Sequence, residues 1–408
     1  KALKRNYKVV IGQKGYLREL IKDTNPGIMI LKSFGPNNTK HIDLIKKKKF
    51  KVVSSDEEII LAVDYEDKIE YRMNNENINK LDIFLAAGET SDFLILKKKF
   101  RSIIPNVLIS GNMRMELLKK KYRNLLEKDT HVIKKKFGDY ILLLTGFGQI
   151  NKIRANFEID WVYNRVVDYN IDPESHGIFL VNEQVKMQRE VLLQTLKFIN
   201  NFEKNFPNKN LVISPHPVEK IDFWKNLIKK RKFKKVFLNT DMHSPSYPLI
   251  NGCEILISSN STSLLEAHFL EKRAINLLGS KQRISEIDLT KKISKVTRSA
   301  DELINVIKDI EINNNLKKID QELKEIKNYD ENFDSFEAIL DRFDKLDDVE
   351  AFDTLFRNNH SFLKSKFRMI KYYLKGYLSN IVKKNAIISR LHKEKVGTRL
   401  QKKNFTIN

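Results

Sequence analysis

A histidine between two prolines is the most chemically suggestive feature of the sequence. The apolar run Leu211–Ser214 leads directly into Pro215, His216 and Pro217. The prolines restrict the backbone on both sides, so the imidazole is held at the end of a predicted strand. An imidazole in that place can donate to a phosphate oxygen and stabilise charge on a leaving nucleotide. The alternative is a histidine whose nitrogens are satisfied by carbonyl groups of the turn.

A second segment combines hydroxyl groups with the predicted start of a helix. The predicted strand Ile255–Ser258 runs into a polar turn, whose candidate ligand-binding residues are Ser259, Ser261, Thr262, Ser263 and Glu266. Ser261 or Thr262 would cap the helix, and its first N–H groups would form an anion site. Glu266 is placed to accept hydrogen bonds from ribose hydroxyls. An ordinary capped helix is the alternative, but together with His216 the segment predicts a nucleotide site.

A turn with two glycines follows the predicted strand Tyr140–Thr145. Gly146 and Gly148 would let the backbone approach a ligand, and Asn151 comes shortly afterwards. An ordinary turn fits the same residues. The segment lacks the Gly-x-Gly-x-x-Gly spacing of dinucleotide folds and the lysine of a phosphate-binding loop. These absences argue against kinases, ATPases and nicotinamide enzymes.

Candidate catalytic carboxylates follow two predicted strands in the first half of the chain. Asp56, Glu57 and Glu58 come after one strand, and Glu89 follows another. A carboxylate there could deprotonate an acceptor hydroxyl or attack an anomeric carbon, while the alternative is a surface acid that caps the next helix. Arg114, near the start of a predicted helix, could serve a phosphate, a carboxylate or only the fold. No His, Cys and acidic residues are spaced like metal ligands, so we expect no metal.

The elements that must position these residues alternate between short β-rich runs and helical stretches, which is typical of α/β layers. The predicted strands are Lys8–Ile11, Ile28–Leu31, Lys51–Val53, Ile83–Ala86, Val107–Ser110, Tyr140–Thr145, Leu211–Ser214, Lys235–Leu238, Ile255–Ser258 and Ala274–Leu277. The predicted helices include Asn112–Leu126, Glu183–Glu203 and Thr262–Leu270. Most strands are almost continuously apolar, as expected for parallel sheets covered on both faces.

The polar segment Glu127–Gly138 separates two sets of strands. We therefore predict two doubly wound Rossmann-like domains facing a cleft, where ligands would bind. The predicted domains cover residues 1–128, which contain the candidate carboxylates, and residues 135–310, which contain the predicted nucleotide site. A helical extension is predicted for 311–408. The acidic stretch from 301 to about 350 is predicted to be solvated helix.

Composition limits the remaining function classes. The 408 residues include 75 Lys and Arg against 52 Asp and Glu, which gives a formal net charge of +23. The single cysteine, Cys253, excludes a disulfide framework and indicates a reducing compartment. No apolar run is long enough to span a bilayer. No zinc spacing, basic zipper or RNA-binding aromatic signature is present, so a Lys-rich solvated surface is favoured over a nucleic-acid partner.

The positive charge is concentrated at the end of the chain. Residues 359–408 contain 13 Lys and Arg and one acidic residue, Glu394. Leu363, Phe367, Ile370, Leu374, Leu378 and Ile381 are spaced three and four residues apart. This spacing predicts a basic amphipathic helix that suits an anionic membrane surface. The alternative is a helix that packs across the two domains with a solvated outer face.

Five segments in this order and spacing resemble the bacterial surface-carbohydrate biosynthesis proteins, which have the two-domain GT-B glycosyltransferase architecture. The resemblance covers about residues 7–278 and rests on 56–58, 111–114, 145–151, 214–217 and 260–267. Met113 replaces a proline that is usual in the family, and Ile59 replaces a common glycine. The family's first strand, with its own acidic residue, would lie upstream of Lys1.

The His-Pro and hydroxyl-rich pair is also similar to the CMP-binding elements of bacterial sialyltransferases, polysialyltransferases and Kdo transferases. The resemblance implies a metal-independent enzyme with no cofactor, whose donor is a CMP-linked 2-keto acid sugar such as Kdo. It implies a surface-glycan or lipid-linked acceptor, and a cytoplasmic enzyme held at the inner face of the membrane by its basic helix. Two alternatives remain at this point. One is a CDP-polyol phosphotransferase of wall-polymer synthesis, and the other is a non-enzymatic basic protein that binds membrane or nucleic acid.

Overall fold

Two parallel β-sheets, of four and six strands, form the framework of the part of the chain that the structure describes. The structure is a computed structural model. The residues that it describes are 1–56, 75–88, 106–148, 150–151, 176–241, 244–283, 286–312, 326–346, 355–356, 361, 363–364, 366 and 368. They fall into two compact units, one comprising 30–39 and 53–345 and the other 1–29, 40–52 and the described residues from 346 onward. The predicted domain boundaries stay predictions.

The four-stranded sheet has the strand order β1-β2-β3-β4. Its strands are β1 (Ile28–Leu31), β2 (Lys51–Ser55), β3 (Ile83–Ala86) and β4 (Val107–Ile109). The last three pair in parallel, with β3 between β2 and β4, and every residue of β3 is buried. Phe34 packs edge-to-face on Phe84 of β3, with ring centroids 5.4 Å apart. The side-chain amide of Asn77 then donates to the Phe34 carbonyl at 2.8 Å.

The six-stranded sheet has the order β10-β9-β8-β5-β6-β7, with all neighbours parallel. Its strands are β5 (Tyr140–Leu144), β6 (Asn210–Ser214), β7 (Val236–Leu238), β8 (Ile255–Ser258), β9 (Arg273–Leu277) and β10 (Lys295–Thr297). The chain runs from β5 outward through β6 and β7, and then crosses to β8 on the other side of β5. The strand order therefore reverses between β5 and β8.

The described helices and helical turns cover the sheets. The α-helices are α1 (Lys14–Leu20), α2 (Thr39–Lys47), α3 (Asn75–Ile78), α4 (Met113–Glu116), α5 (Asn124–Phe137), α6 (His176–Asn205), α7 (Ile221–Arg231), α8 (Tyr247–Gly252), α9 (Thr262–Phe269), α10 (Asp288–Lys292), α11 (Ala300–Ile312) and α12 (Ser335–Phe343). Short 3-10 turns occur at Ala2–Arg5, Pro36–Asn38, Lys120–Tyr122 and Lys327–Tyr329.

The central strand β5 shows why these strands are apolar throughout. Ile141 and Leu143 belong to one buried cluster, which includes residues of α6 and α11. Tyr140 and Leu142 belong to a second cluster, formed with α8 and α9. Because successive side chains point to opposite faces, a strand covered on both faces needs apolar residues at every position. The predicted α/β fold with parallel sheets is thereby confirmed.

Two local predictions were wrong at the level of single elements. Lys8–Ile11 is not a strand but exposed irregular chain, and the Ile11 side chain is 91% exposed. β-branched residues favour strands mainly where they pack on the half-buried surface of a sheet, and this exposed segment belongs to neither of the two sheets. The helix predicted for Asn112–Leu126 is divided into α4, a 3-10 turn and the start of α5. Lys119 interrupts it with an extended backbone, while its ammonium group donates to two carbonyls of residues 330 and 333.

The prediction that residues 301 to about 350 form solvated helix was also wrong for much of that stretch. Leu303 and Ile307 of α11 are fully buried in the core of the six-stranded sheet. Further along, Asn328 and Ser335 are buried although both are polar. Among the described residues of α11, the acidic side chains of Asp301, Glu302 and Asp309 are exposed. Burial is decided by a few positions that overall composition does not reveal.

The smaller unit holds α1, most of α2 and part of the C-terminal region. Arg368 donates to the buried carboxylate of Asp23 at 2.9 Å, and residues 24 and 356 form an isolated antiparallel bridge. Leu363, the first residue of the predicted apolar helix face, is exposed. The rest of that predicted helix lies mainly outside the described residues. Its role therefore stays a prediction.

Candidate functional site

Three of the predicted ligand-binding segments meet at the carboxyl edge of the six-stranded sheet. The turn at 145–148 follows β5, the loop at 215–219 follows β6, and the turn at 259–261 follows β8. Since β5 lies between β6 and β8, the three segments are neighbours. The edge between β5 and β8 is also the point where the strand order reverses, which is where open α/β sheets bind ligands.

His216 is exposed in this loop, and a backbone contact orients its ring. The N–H of Val218 donates to Nδ1 of His216 at 3.3 Å. Since Nδ1 accepts this hydrogen bond, the neutral imidazole carries its proton on Nε2. The Nε2–H group of this exposed side chain has the chemistry that the sequence analysis assigned to it, and its role in binding a phosphate stays a prediction. Pro217 is exposed beside it.

Glu219 is a buried residue of the site that sequence reasoning missed. Its carboxylate accepts hydrogen bonds from five donors: Thr145 Oγ1 (2.6 Å), Phe147 N (3.0 Å), Asn151 Nδ2 (3.3 Å), His216 N (3.3 Å) and Trp224 Nε1 (3.1 Å). In the sequence, Glu219 lies two residues before α7, and the exposed Asp222 lies in the first turn of that helix. No local pattern distinguishes the two, because the donors come from separate segments.

The two glycines after β5 have different surroundings. A Cβ on Gly148 would lie 2.5 Å from Cγ2 of Val218, so glycine is what lets the two loops touch. Apart from its two chain neighbours, a Cβ on Gly146 would have no atom of the described residues within 4 Å. Asn151 donates to Glu219, and its carbonyl accepts from the N–H of Lys220 at 2.9 Å. Gly148 and Asn151 therefore join the loops, whereas Gly146 has no such neighbour among the described residues.

The start of α9 has the polar cap that the sequence predicts. Ser261 is the N-cap, and its hydroxyl accepts from the N–H of Ser263 at 3.2 Å. The Ser263 hydroxyl lies 3.0 Å from those of Ser258 and Ser261. Ser259 and Thr262 flank this cap and are half-buried. The N-terminal end of α9 has the positive dipole potential that favours an anion.

Glu266 has protein partners in the structure. It lies in the second turn of α9, its side chain is only 1% exposed, and it pairs with the guanidinium of Arg114. The Ser246 hydroxyl donates to its other oxygen at 3.1 Å, and the Arg114 guanidinium lies over the Tyr247 ring at 5.7 Å. A ribose hydroxyl would have to share this carboxylate with Arg114 and Ser246, and the ribose contact stays a prediction. Of the roles considered for Arg114, the structure shows a bond to a carboxylate.

A small pocket lies at the carboxyl ends of β2, β3 and β4. It is lined by Ser55, Asp56, Leu85, Ala87, Gly111, Asn112 and Met113. Asp56 is buried within it, so one of the predicted catalytic carboxylates lies in a pocket. The other three, Glu57, Glu58 and Glu89, lie outside the described residues. The role of Asp56 in acting on a bound hydroxyl group stays a prediction.

One wall of this pocket is held by residues more than 200 positions away in the sequence. The N–H of Asn112 donates to Oδ1 of Asn328 at 2.6 Å, and Nδ2 of Asn328 donates to Glu116 at 2.9 Å. Burial opposes ionisation of Glu116, but hydrogen bonds from Lys121 and Asn328 outweigh it and lower the pKa of this carboxyl. Gly111 has a φ of +70°, which favours glycine.

Two searches of the described residues gave negative results. No three His, Cys, Asp or Glu side chains among them come together as a metal site would require. No helix within the described ranges is long and apolar enough to cross a membrane. Whether turnover needs a metal stays a prediction.

Comparison with known proteins identifies the fold. No family model matches the chain, and no curated protein sequence matches it. A candidate UDP-N-acetylglucosamine 2-epimerase from Listeria monocytogenes has 13% identity and a TM-score of 0.50, over 85% of this chain and 85% of its own. The chain has a GT-B fold. The predicted pair of Rossmann-like domains is thereby confirmed, and a likeness at this identity shows the fold alone.

Two other solved structures are similar at lower TM-scores. The UDP-N-acetylglucosamine 2-epimerase of Methanocaldococcus jannaschii, in complex with UDP-GlcNAc and UDP, has 15% identity and a TM-score of 0.49, over 84% of this chain and 86% of its own. The wall teichoic acid polymerase TagF has 12% identity and a TM-score of 0.37, over 66% of this chain and 58% of its own.

Proposed function

We propose that this chain is a glycosyltransferase that takes a sugar from a CMP-linked donor, and that its nucleotide binds over β6, β5 and β8. The supporting observation is the pairing of an outward Nε2 donor on His216 with the capped start of α9. The two follow strands on either side of β5. Neighbouring strands lie about 4.8 Å apart, so the carboxyl ends of β6 and β8 are roughly 10 Å apart. This distance leaves room for a nucleotide between His216 and the start of α9.

The number of phosphate-binding groups supports the proposed donor class. One imidazole donor and one helix N-terminus suit a single phosphate, and a nucleoside monophosphate carries only one. The similar Listeria protein is named as an enzyme of a nucleotide sugar, which agrees with this ligand class. The finer assignment, a 2-keto acid sugar such as Kdo transferred without a metal, rests on the family resemblance.

The proposed reaction exchanges one bond at the anomeric carbon for another. The bond between that carbon and the CMP phosphate oxygen breaks, and a bond to the acceptor oxygen forms. Nε2 of His216 donates to the phosphate as charge develops on it, and Asp56 takes the proton of the acceptor hydroxyl. Either role fails if its group is removed, so His216→Ala and Asp56→Asn should each abolish turnover in a folded protein.

The proposed acceptor is a surface glycan or a lipid-linked precursor, and the proposed location is the cytoplasm at the inner face of the membrane. The basic C-terminal segment, 13 Lys and Arg against one acid over residues 359–408, supports this location. Vesicles with and without anionic lipid would test it. Removal of residues 359–408 should weaken binding to anionic vesicles and leave nucleotide affinity unchanged.

The first test is calorimetric titration with CMP, CDP, UDP and GDP in the presence of a chelator. Gly146→Ala is the sharpest variant, because, apart from its two chain neighbours, the added methyl meets no atom of the described residues within 4 Å, so we expect it to disturb a bound ligand more than the fold. Gly27→Ala is its matched control, since its added Cβ meets only Phe50, at 3.9 Å, and lies outside the three loops. We expect CMP to bind best, and to bind poorly to His216→Ala and Gly146→Ala but normally to Gly27→Ala.

Other outcomes would overturn the proposal in distinct ways. Preference for CDP would favour a CDP-polyol phosphotransferase. Preference for UDP would favour a UDP-sugar enzyme of the kind for which the Listeria protein is named. Absence of binding by all four nucleotides, or undiminished CMP binding to Gly146→Ala, would contradict a nucleotide site at this edge of the sheet.

A further inference from the structure

The carboxylate of Glu219 is buried among hydrogen-bond donors rather than beside a cation. Glu219 is completely buried, and among the described residues no Lys, Arg or His side chain lies within ion-pair distance of it. Taking a charged group out of water is costly unless hydrogen bonds replace its hydration. The five donors supply that replacement, and both carboxylate oxygens are used.

The donors belong to the segments that carry the proposed nucleotide site. Oε1 accepts from Thr145 and Phe147 after β5, and from His216 after β6. Oε2 accepts from Asn151 and from the indole of the fully buried Trp224. A glutamine in the same place would replace one carboxylate oxygen by an NH₂ group. If that oxygen is Oε2, the NH₂ group would face the donors of Asn151 and Trp224 and could not accept from them. Only an ionised carboxylate can accept from all five.

We propose that Glu219 is a positioning residue, which fixes the His216 loop and thereby keeps the His216 proton on Nε2. The geometry has two steps. The Oε1 atom holds the backbone N–H of His216, and the N–H of Glu219 donates to the His216 carbonyl at 2.9 Å. The closed turn places the Val218 N–H on Nδ1. The Nε2–H group is then directed outward before any ligand binds, so no rearrangement is needed on binding.

The nucleotide part of this inference rests on the proposed function, but the tautomer part does not. The test therefore measures both. Imidazole ¹⁵N and ¹³C chemical shifts report the tautomer of His216 at a pH where the ring is neutral, and calorimetry reports the affinity for CMP. The variants are Glu219→Gln and the matched control Asp222→Asn, which loses the same charge from an exposed side chain three residues away.

In the wild type we expect a single Nε2–H tautomer. In Glu219→Gln we expect the mixture shown by a histidine in an unstructured peptide, together with roughly tenfold weaker CMP binding, the size of one lost charge-assisted hydrogen bond. Asp222→Asn should match the wild type in both measurements. If Glu219→Gln does not fold, Glu219→Asp keeps the charge but withdraws it by one methylene group, and should give intermediate values.

A wild-type tautomer in a folded Glu219→Gln or Glu219→Asp protein would overturn the inference, as would an equal change in Asp222→Asn. Failure of the wild type to bind CMP would contradict the proposed function instead. The tautomer measurement would still decide the role of Glu219 in that case.

Discussion

Replacing only one partner of the ion pair between Arg114 and Glu266 should lower the free energy of unfolding more than most single substitutions in this protein. The Glu266 side chain is 1% exposed, and that of Arg114 is 24% exposed. Arg114→Met removes the cation and leaves the carboxylate buried. Removal of one partner from a buried ion pair costs about 3–5 kcal/mol, because the remaining charge is uncompensated. We expect the free energy of unfolding of Arg114→Met to fall by an amount in that range.

The opposite single change should cost less. Glu266→Gln keeps an oxygen that can accept from Arg114, and the partly exposed guanidinium can be hydrated. We expect a loss of about 1–2 kcal/mol. In the double variant Arg114→Met with Glu266→Gln, no buried charge remains. Its loss should therefore be smaller than that of Arg114→Met alone, which corresponds to a coupling energy of about 2 kcal/mol or more.

Urea unfolding followed by circular dichroism, with the slope compared among variants, measures these differences. Lys120→Met is the control, because Lys120 forms an exposed pair with Glu271 at 3.1 Å, and such pairs contribute about 0–1 kcal/mol. Strictly additive losses in the double variant would refute the reasoning. A loss in Arg114→Met no larger than that in Lys120→Met would do so as well.

Three further predictions concern stability. Burial, with help from nearby cations of α1, lowers the pKa of His41 to about 4, against 6.5 in the unfolded chain. The unfolded state therefore takes up the proton first, so the contribution of His41 is complete above pH 6.5 and is lost as the pH falls towards 4, by up to about 3 kcal/mol. His41→Phe should flatten the pH dependence of urea midpoints between pH 7.5 and 4.5, and an unchanged profile would contradict this. Gly111→Ala adds a Cβ at positive φ that would lie 2.7 Å from two side-chain oxygens, so the free energy of unfolding should fall by about 3 kcal/mol. Gly146→Ala should change the free energy of unfolding little. Equal melting temperatures for the two variants would contradict this interpretation of the turn. Tyr140→Phe removes a buried hydroxyl donor 2.6 Å from the Leu249 carbonyl, so the free energy of unfolding should fall by about 1–2 kcal/mol in the same assay. An unchanged free energy of unfolding would mean that the carbonyl is paired with another donor.

Strand-end residues were the part of the site that local sequence could predict. The runs at 140–144, 211–214 and 255–258 are apolar because both faces of each strand are covered, and the residues that follow them must lie at one edge of a parallel sheet. This reasoning placed His216 and Ser261 at the edge where the structure has them, and their roles stay predictions. Asp56 was found in the same way at the other sheet.

Long-range partners were not predictable by the same means. Glu219 accepts from residues 68 to 74 positions earlier, Arg114 and Glu266 are 152 positions apart, and Glu116 and Asn328 are 212 apart. Periodicity reports whether a position is buried in its own helix or strand. Periodicity does not identify which distant residue will lie against a buried polar atom.

The sequence by itself determined the two parallel sheets, the places where their strands end and the polar groups that stand there. These features follow from covalent neighbours and from the local alternation of apolar and polar residues. The tertiary structure alone decided that Glu219 joins two of the loops, that Glu266 is paired with Arg114, and that Asn328 holds a wall of the Asp56 pocket. The physical reason is that a buried polar group must be paired, and the folded chain alone brings its partners within hydrogen-bond distance.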